Sequence, residues 1–268
     1  MIEKISKNGL YYRLNDFHEN QSTLVFVHGI SGSSSAWLSY EKFFNDKYNT
    51  LSLDLRGHGK SIKYKNCNDY SLEKMADDIK KLLEELKLNK FTLISHSFAV
   101  LVVFEFIKKY GEMLNSLILL SPNFSVGERP LEKIAKPFIK FLAFAVKALP
   151  FSQKPGRHID YEKYKNSGDW NVRRMMADIG NTGLRTYIFG SLQTYGKNYA
   201  ELLEKIAVPT LIIHGEKDTI FPVENSKIIA DKIKNSKLVI LPNTDHIIVL
   251  NNSPEVSVEI KKFLESKK

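Results

Sequence analysis

LISHSFAV, residues 93–100, decides how the rest of the chain is read. FTLIS, residues 91–95, has the short, continuously apolar look of a strand buried on both faces, and from Phe98 to Tyr110 the pattern turns helical. Ser97 stands at the junction. A serine on a sharp strand-to-helix turn can be presented at the end of a sheet as a nucleophile, whereas an isolated Ser-x-Ser reads equally well as a helix N-cap. Such a turn brings strand and helix close together, so the residues two before and two after the serine must be small, and glycine is the usual solution. Here they are Ser95 and Ala99, which add a β-carbon and at most a hydroxyl.

The same strand signature recurs on either side. TLVFV (23–27), TLSLDL (50–55), SLILL (116–120), PTLIIHG (209–215) and KLVILP (237–242) are short β-branched or leucine-rich runs of the kind buried on both faces of a parallel sheet. An opening hairpin is expected over KISKNGLYYRLND, with Asn8-Gly9 supplying two positive φ angles. Between these runs lie helical patterns. Leu72, Met75, Ala76, Ile79, Leu82, Leu83 and Leu86 repeat at three and four residues behind Ser71, a fitting N-cap, and another helix is expected over 255–265. Strands alternating with helices predict right-handed βαβ units and a mostly parallel sheet of about eight strands flanked by helices. The alternation fails after Pro122 and resumes at Pro209. Residues 122–205 are therefore expected to form a helical cap inserted into one α/β core made of residues 1–121 and 206–268.

Ligands of open parallel sheets bind beyond the carboxyl ends of the strands. There the chain carries His28-Gly29, Arg56-Gly57-His58-Gly59, His96-Ser97, Glu216-Lys217-Asp218 and Asp245-His246. A serine, an acid and a histidine thus follow one another in the order found in α/β-hydrolases. Along essentially its whole length the sequence resembles the α/β-hydrolase-fold superfamily. The resemblance rests on the His28-Gly29 turn, DLRGHGKS at 54–61, the turn around Ser97, HGEKD at 214–218 and TDH at 244–246. Any one of these is weak; five in the right order and spacing are specific.

The resemblance implies a catalytic triad. Ser97 would attack a carbonyl, His246 would act as base and then acid, and Asp218 would orient His246 and stabilise its charged form. The backbone N–H groups of Phe98 and Ile30 are the implied oxyanion donors. Asp245 and Glu216 compete with Asp218 for the acid's role. Asp245 adjoins His246 too closely in sequence to orient its ring easily, and Glu216 reads as a turn residue. A second position that the superfamily uses for the acid, after the strand at 116–120, holds Pro122-Asn123 and offers no carboxylate. His28, His58 and His96 read as structural, without zinc-ligand spacing, so neither a metal nor another cofactor is expected. GKS at 59–61 resembles the end of a phosphate-binding loop, but Asp54 stands where that motif requires glycine.

Composition sets the outer limits. The chain has 268 residues, 43% hydrophobic and 26% charged, as an ordinary globular domain does. Its net charge of +9 comes from scattered lysines rather than a basic stripe interleaved with aromatics, so nucleic acid is not an expected partner. One cysteine, Cys67, can form no internal disulfide. The start lacks an apolar leader, and no run approaches the roughly 20 apolar residues of a membrane span, which predicts a cytoplasmic location. The chain is expected as a monomer or homodimer.

By resemblance, relatives that open epoxides or displace halide attack with an aspartate at the turn, so serine points to acyl transfer, with water as the default acceptor. In residues 131–149, Lys133, Lys136, Lys140 and Lys147 share one helical face while apolar side chains fill much of the rest. This is expected to be a lid helix with its apolar face over the site; transient contact with a membrane surface is the second reading. The leading expectation is a serine esterase similar to monoacylglycerol lipases and carboxylesterases, acting on small-molecule esters with an apolar acyl chain. The alternatives are a carbon–carbon bond hydrolase of the same fold and a ligand-binding member with little turnover.

Overall fold

The computed structural model describes residues 1–266. One eight-stranded sheet runs through it, built from β1 (Ile2–Ile5), β2 (Tyr11–Leu14), β3 (Thr23–Val27), β4 (Asn49–Leu53), β5 (Phe91–His96), β6 (Leu114–Leu120), β7 (Thr210–Gly215) and β8 (Ser236–Leu241). Their spatial order is β1-β2-β4-β3-β5-β6-β7-β8. The first hairpin is antiparallel and joins β4 antiparallel, while β4, β3, β5, β6, β7 and β8 run parallel to one another. The α-helices in chain order are α1 (Leu38–Phe44), α2 (Leu72–Glu85), α3 (Phe98–Tyr110), α4 (Pro130–Ala145), α5 (Val172–Thr182), α6 (Leu184–Thr194), α7 (Ala200–Leu203), α8 (Val223–Lys232), α9 (Ile248–Asn251) and α10 (Ser253–Glu265). None is long and apolar enough to cross a membrane among the described residues.

Two-residue periodicity sorts the strand side chains into two cores. Val25, Val27, Leu93, Leu117, Leu119 and Ile212 point to the side of α2 and α3, where Met75, Ile79, Leu82, Val102 and Phe106 meet them. Their neighbours Leu24, Phe26, Ile94, Ile118, Leu120, Leu211 and Ile213 face the other layer, against Trp37, Tyr40 and Phe44 of the α1 region and Val256 and Ile260 of α10. The central strands are buried on both faces, as their unbroken apolar runs predict. β8 departs from that expectation: at the edge of the sheet beside β7, it leaves several positions half-exposed.

The opening hairpin also differs from its expected turn. Only Gly9 takes a positive φ (83°), and the connection spans Ser6 to Leu10, with the Gly9 N–H donating to the Ser6 carbonyl at 2.9 Å. Asn8 is used differently. Its side-chain amide donates to the Asp78 carbonyl and carboxylate, both at 3.2 Å, pinning the turn to α2. The N-cap of α2 forms as expected, with Ser71 Oγ accepting from the Lys74 N–H at 3.3 Å.

Between β6 and β7 the chain contains helices α4 to α7 and no strand among the described residues, only an isolated bridge from Ser125 to Asn198. This segment lies over the carboxyl ends of the strands. Its His158 imidazole sits 2.8 Å from Asp54, and Thr182 donates to the Ser31 carbonyl at 2.7 Å. The Asp54 carboxylate also accepts the N–H groups of Ser34 (2.6 Å) and Lys60 (2.7 Å), tying the loops after β3 and β4 together. The side chain that takes the place of a phosphate-loop glycine is thus a buried loop organiser.

α4 divides its apolar residues between two directions. Ile139, Leu142 and Ala143, with Val146 just past the helix end, pack inward on the core. Leu131, Ile134, Phe138, Phe141 and Phe144 are 62% to 81% exposed, so only part of the helix's apolar face covers the site. On a wheel of about 100° per residue the exposed set forms an outer face, and Lys133, Lys136 and Lys140 line one flank of it, while Lys147 falls in the 3-10 turn beyond the helix.

Candidate active site

β5 ends at His96, and α3 begins at Phe98. The single residue between them reverses the chain with φ 56° and ψ −119°, a region that costs a non-glycine residue about 1–3 kcal/mol and persists only where surrounding structure enforces it. That enforcement is visible. The Ser97 N–H donates to the Leu120 carbonyl at the end of β6, and the Ser97 carbonyl accepts from Val100, both at 3.0 Å. Ser95 and Ala99 are fully buried on either side, so the tight turn accommodates their β-carbons. The cost shows at Ser95, whose buried Oγ has no hydrogen-bond partner among the described residues.

Two loops converge on this turn. Asp218 follows β7, and His246 follows β8. His246 Nε2 lies 2.8 Å from Ser97 Oγ, and its Nδ1 lies 2.7 Å from Asp218 Oδ2. With Nδ1–H directed at the carboxylate, the Nε2 lone pair faces the serine hydroxyl, the tautomer in which the ring can take the serine proton. All three side chains are buried or nearly so.

Asp218 is held ionised by a dense set of donors. Burial opposes its charge, but hydrogen bonds from His214 and His246 and from the Phe221 N–H outweigh that penalty and keep the carboxyl well below its ordinary range. His214 Nε2 lies 3.1 Å from Oδ2, while Oδ1 accepts the N–H groups of Ile220 (2.9 Å) and Phe221 (2.8 Å). The two rival acids are engaged elsewhere. Asp245 accepts from the Ile247 N–H and the Asn251 amide, and Glu216 accepts from the Asn243 N–H.

The three histidines read as structural bond the backbone. His28 Nε2 accepts the Leu55 N–H at 3.0 Å, His58 Nδ1 lies 3.0 Å from the Arg56 carbonyl, and His96 Nε2 lies 3.0 Å from the His246 carbonyl. Burial depresses all three, to about 3 for His58 and His96, so they stay neutral at physiological pH.

Ile30 and Phe98 line the same cavity as Ser97 and His246. The Phe98 N–H is the first of α3 and therefore has no intrahelical acceptor. The cavity measures about 860 Å³, within the usual range of small-molecule sites. Much of its wall is apolar, including Leu101, Val126, Ile139, Met175, Phe221 and Leu250. A connected polar group completes it: the Tyr161 hydroxyl donates to Asp178 at 3.0 Å, and Arg174 lies 3.4 Å from the same carboxylate. Burial raises Asp178 to about 6 despite these partners.

The sequence alone does not single out Tyr161, Asp169, Arg174 or Asp178 as site residues. They come from the segment between β6 and β7, where neither strand ends nor periodicity mark an inward direction. His214 is visible within HGEKD, and its contact with Asp218 follows from its place on β7. No group of three or more His, Cys, Asp or Glu side chains capable of holding a metal ion occurs among the described residues.

Comparison with known proteins agrees with this architecture. The chain is 26% identical to the proline iminopeptidase PfmaB of Pestalotiopsis fici, covering 99% of this chain and 100% of that protein. It is likewise 26% identical to a putative esterase/lipase of Haemophilus influenzae, covering 98% and 91%. Among solved structures, a thermophilic esterase from Thermogutta terrifontis superimposes with a TM-score of 0.77 at 24% identity, covering 96% of this chain and 93% of that one. The profile of the α/β hydrolase fold matches residues 22–253, and the chain belongs to that family of hydrolases.

Proposed function

We propose that the protein is a serine hydrolase that cleaves carboxylic esters with an apolar acyl chain through an acyl-enzyme on Ser97. The observation that carries this reading is the chain of hydrogen bonds Asp218–His246–Ser97 opening into a largely apolar cavity. Ser97 Oγ attacks the ester carbonyl while its proton passes to His246 Nε2. The resulting oxyanion is received by the N–H groups of Ile30 and Phe98, and the imidazolium is stabilised by Asp218. Collapse expels the alcohol, which takes the proton from His246. Water then repeats the sequence on the acyl-enzyme and releases the acid.

The relatives' names do not agree on the bond, since both a peptidase and an esterase/lipase stand among them. The apolar wall favours an acyl chain, and the polar group around Arg174 and Asp178 suits hydroxyls on the alcohol side. Steady-state hydrolysis of monoacylglycerols and nitrophenyl esters, from two-carbon to long acyl chains, tests the reading. Activity with an optimum at longer chains, lost by roughly 10⁴-fold or more in Ser97→Ala, supports it. Equal inertness of both proteins across the series refutes it.

The same reading brings the enzyme to its substrate at an anionic bilayer surface through α4. The face of Leu131, Ile134, Phe138, Phe141 and Phe144 is largely exposed to solvent, and Leu131 also lines the cavity, so this apolar surface reaches the mouth of the site. The lysines along its flank match anionic headgroups, each worth about 1 kcal/mol near such a surface. Co-sedimentation with phosphatidylcholine vesicles, with and without phosphatidylglycerol, checks this without any turnover. Binding only when phosphatidylglycerol is present, weakened by salt and by Phe138→Glu with Phe141→Glu, is expected. No vesicle binding, or a dimer that those substitutions dissociate, overturns it.

A further inference from the structure

We propose that Asp169, which lies in the segment between β6 and β7, is a positioning residue that clamps the loops bearing His246 and Asp218 to each other. Its carboxylate is divided between them. Oδ1 accepts the backbone N–H of His246 at 2.7 Å, and Oδ2 accepts both the N–H (2.9 Å) and the hydroxyl (2.6 Å) of Thr219, the residue after Asp218. The side chain is buried, so these charge-assisted bonds form away from competing water.

Backbone bonds between the two loops reach as far as Lys217 and Thr244. The Glu216 N–H donates to the Leu241 carbonyl at 3.0 Å, and the Lys217 N–H donates to the Thr244 carbonyl at 2.8 Å. Beyond those points, Asp169 joins the backbone of the base directly to the residue that follows the acid. Asp169 is in turn anchored on its own side. Its carbonyl accepts from Arg174 Nη2 at 2.8 Å, and the neighbouring Trp170 indole N–H donates to Thr219 Oγ1 at 3.0 Å. The seating of this inserted segment and the alignment of His246 with Ser97 are therefore set by the same side chain. A misplacement of about 1 Å in such an arrangement can cost 10²-fold in rate.

Three substitutions separate the contacts. Asp169→Asn keeps an acceptor for the His246 N–H but presents an amide N–H group to the two Thr219 donors; Asp169→Ala removes both connections; Thr219→Val removes only the hydroxyl bond. The inference rests on the serine-hydrolase reading for its kinetic readout. With a short nitrophenyl ester, kcat should fall roughly 10- to 100-fold in Asp169→Asn, further in Asp169→Ala and less than about fivefold in Thr219→Val. KM should stay within about twofold throughout, because Asp169 bonds protein loops rather than the acyl chain.

A second readout needs no substrate: the proton NMR signal of His246 Nδ1–H hydrogen-bonded to Asp218. It should be resolved downfield in the wild type and lost or broadened in Asp169→Asn, while the melting temperature and far-ultraviolet circular dichroism of the variant stay close to wild type. An unchanged signal, a kcat within twofold of wild type, or a loss confined to KM overturns the assignment. If the wild type hydrolyses no ester but the signal still disappears in Asp169→Asn, the positioning role stands and the ester reading falls.

Discussion

The parallel sheet and the helical segment above it use apolar residues in opposite ways. Along β3, β5 and β6 nearly every side chain is buried, and successive residues feed the two cores in turn. Along α4, five large apolar side chains remain exposed, interleaved in the sequence with Glu132, Lys133, Lys136 and Lys140. Burial in the sheet is dictated by neighbours on both faces, whereas a single helix over a cavity has only one side to bury. The sheet therefore sets where the loops bearing Ser97, Asp218 and His246 begin, and the segment above it keeps an apolar surface in solvent.

Substitutions in the two regions should separate accordingly. The largest contrast concerns acid stability. Buried His58 stays neutral down to about pH 3, whereas its unfolded counterpart takes up a proton below about 6.5. Its contribution to stability is full above pH 6.5 and is lost as pH falls through that window, on the order of 3 kcal/mol by pH 4. His58→Phe should cost about 1 kcal/mol at pH 7, for the lost bond to Arg56, and be the more stable protein at pH 4. Urea midpoints at the two pH values check this; parallel losses in both proteins would refute it.

Gly59 should come next. It holds a φ of +46°, and an added β-carbon would collide with the Asp54 carboxylate that joins two loops. Gly59→Ala should lower stability by about 2–3 kcal/mol, read as a drop in melting temperature of several degrees. At the turn around Ser97, Ser95→Ala should be neutral or stabilising by up to about 1 kcal/mol, because it removes a buried hydroxyl without a partner. A clear destabilisation would show that the hydroxyl has a use the geometry does not reveal. Smallest of all, Phe138→Glu and Phe141→Glu should each leave the unfolding free energy within about 0.5 kcal/mol, since neither side chain supports the core. A loss of about 2 kcal/mol at either would break the contrast between the regions.

The sheet and the constellation at its strand ends are legible in the sequence because two physical regularities mark them. Doubly buried strands write unbroken apolar runs, and a parallel sheet puts its reactive side chains where those runs stop; Ser97, Asp218 and His246 all lie at such points. The edge position of β8 is not legible, since an edge strand and a central one can share the same apolar run. Neither is the turn at Asn8, whose side chain serves a contact with α2 far away in sequence. Asp169 lies out of reach for the same reason. It reaches Thr219 and His246 across 50 and 77 residues, and nothing in its local pattern distinguishes it from a solvated aspartate.

The proposed hydrolysis depends above all on Ser97 being a hydroxyl activated by His246. Incubation of the intact protein with a fluorophosphonate, followed by peptide mass spectrometry, addresses that directly. One equivalent of phosphonyl adduct on Ser97, abolished in His246→Ala while that variant remains folded, is the result expected. Absence of any adduct, an adduct on another serine, or equal labelling in His246→Ala would contradict it.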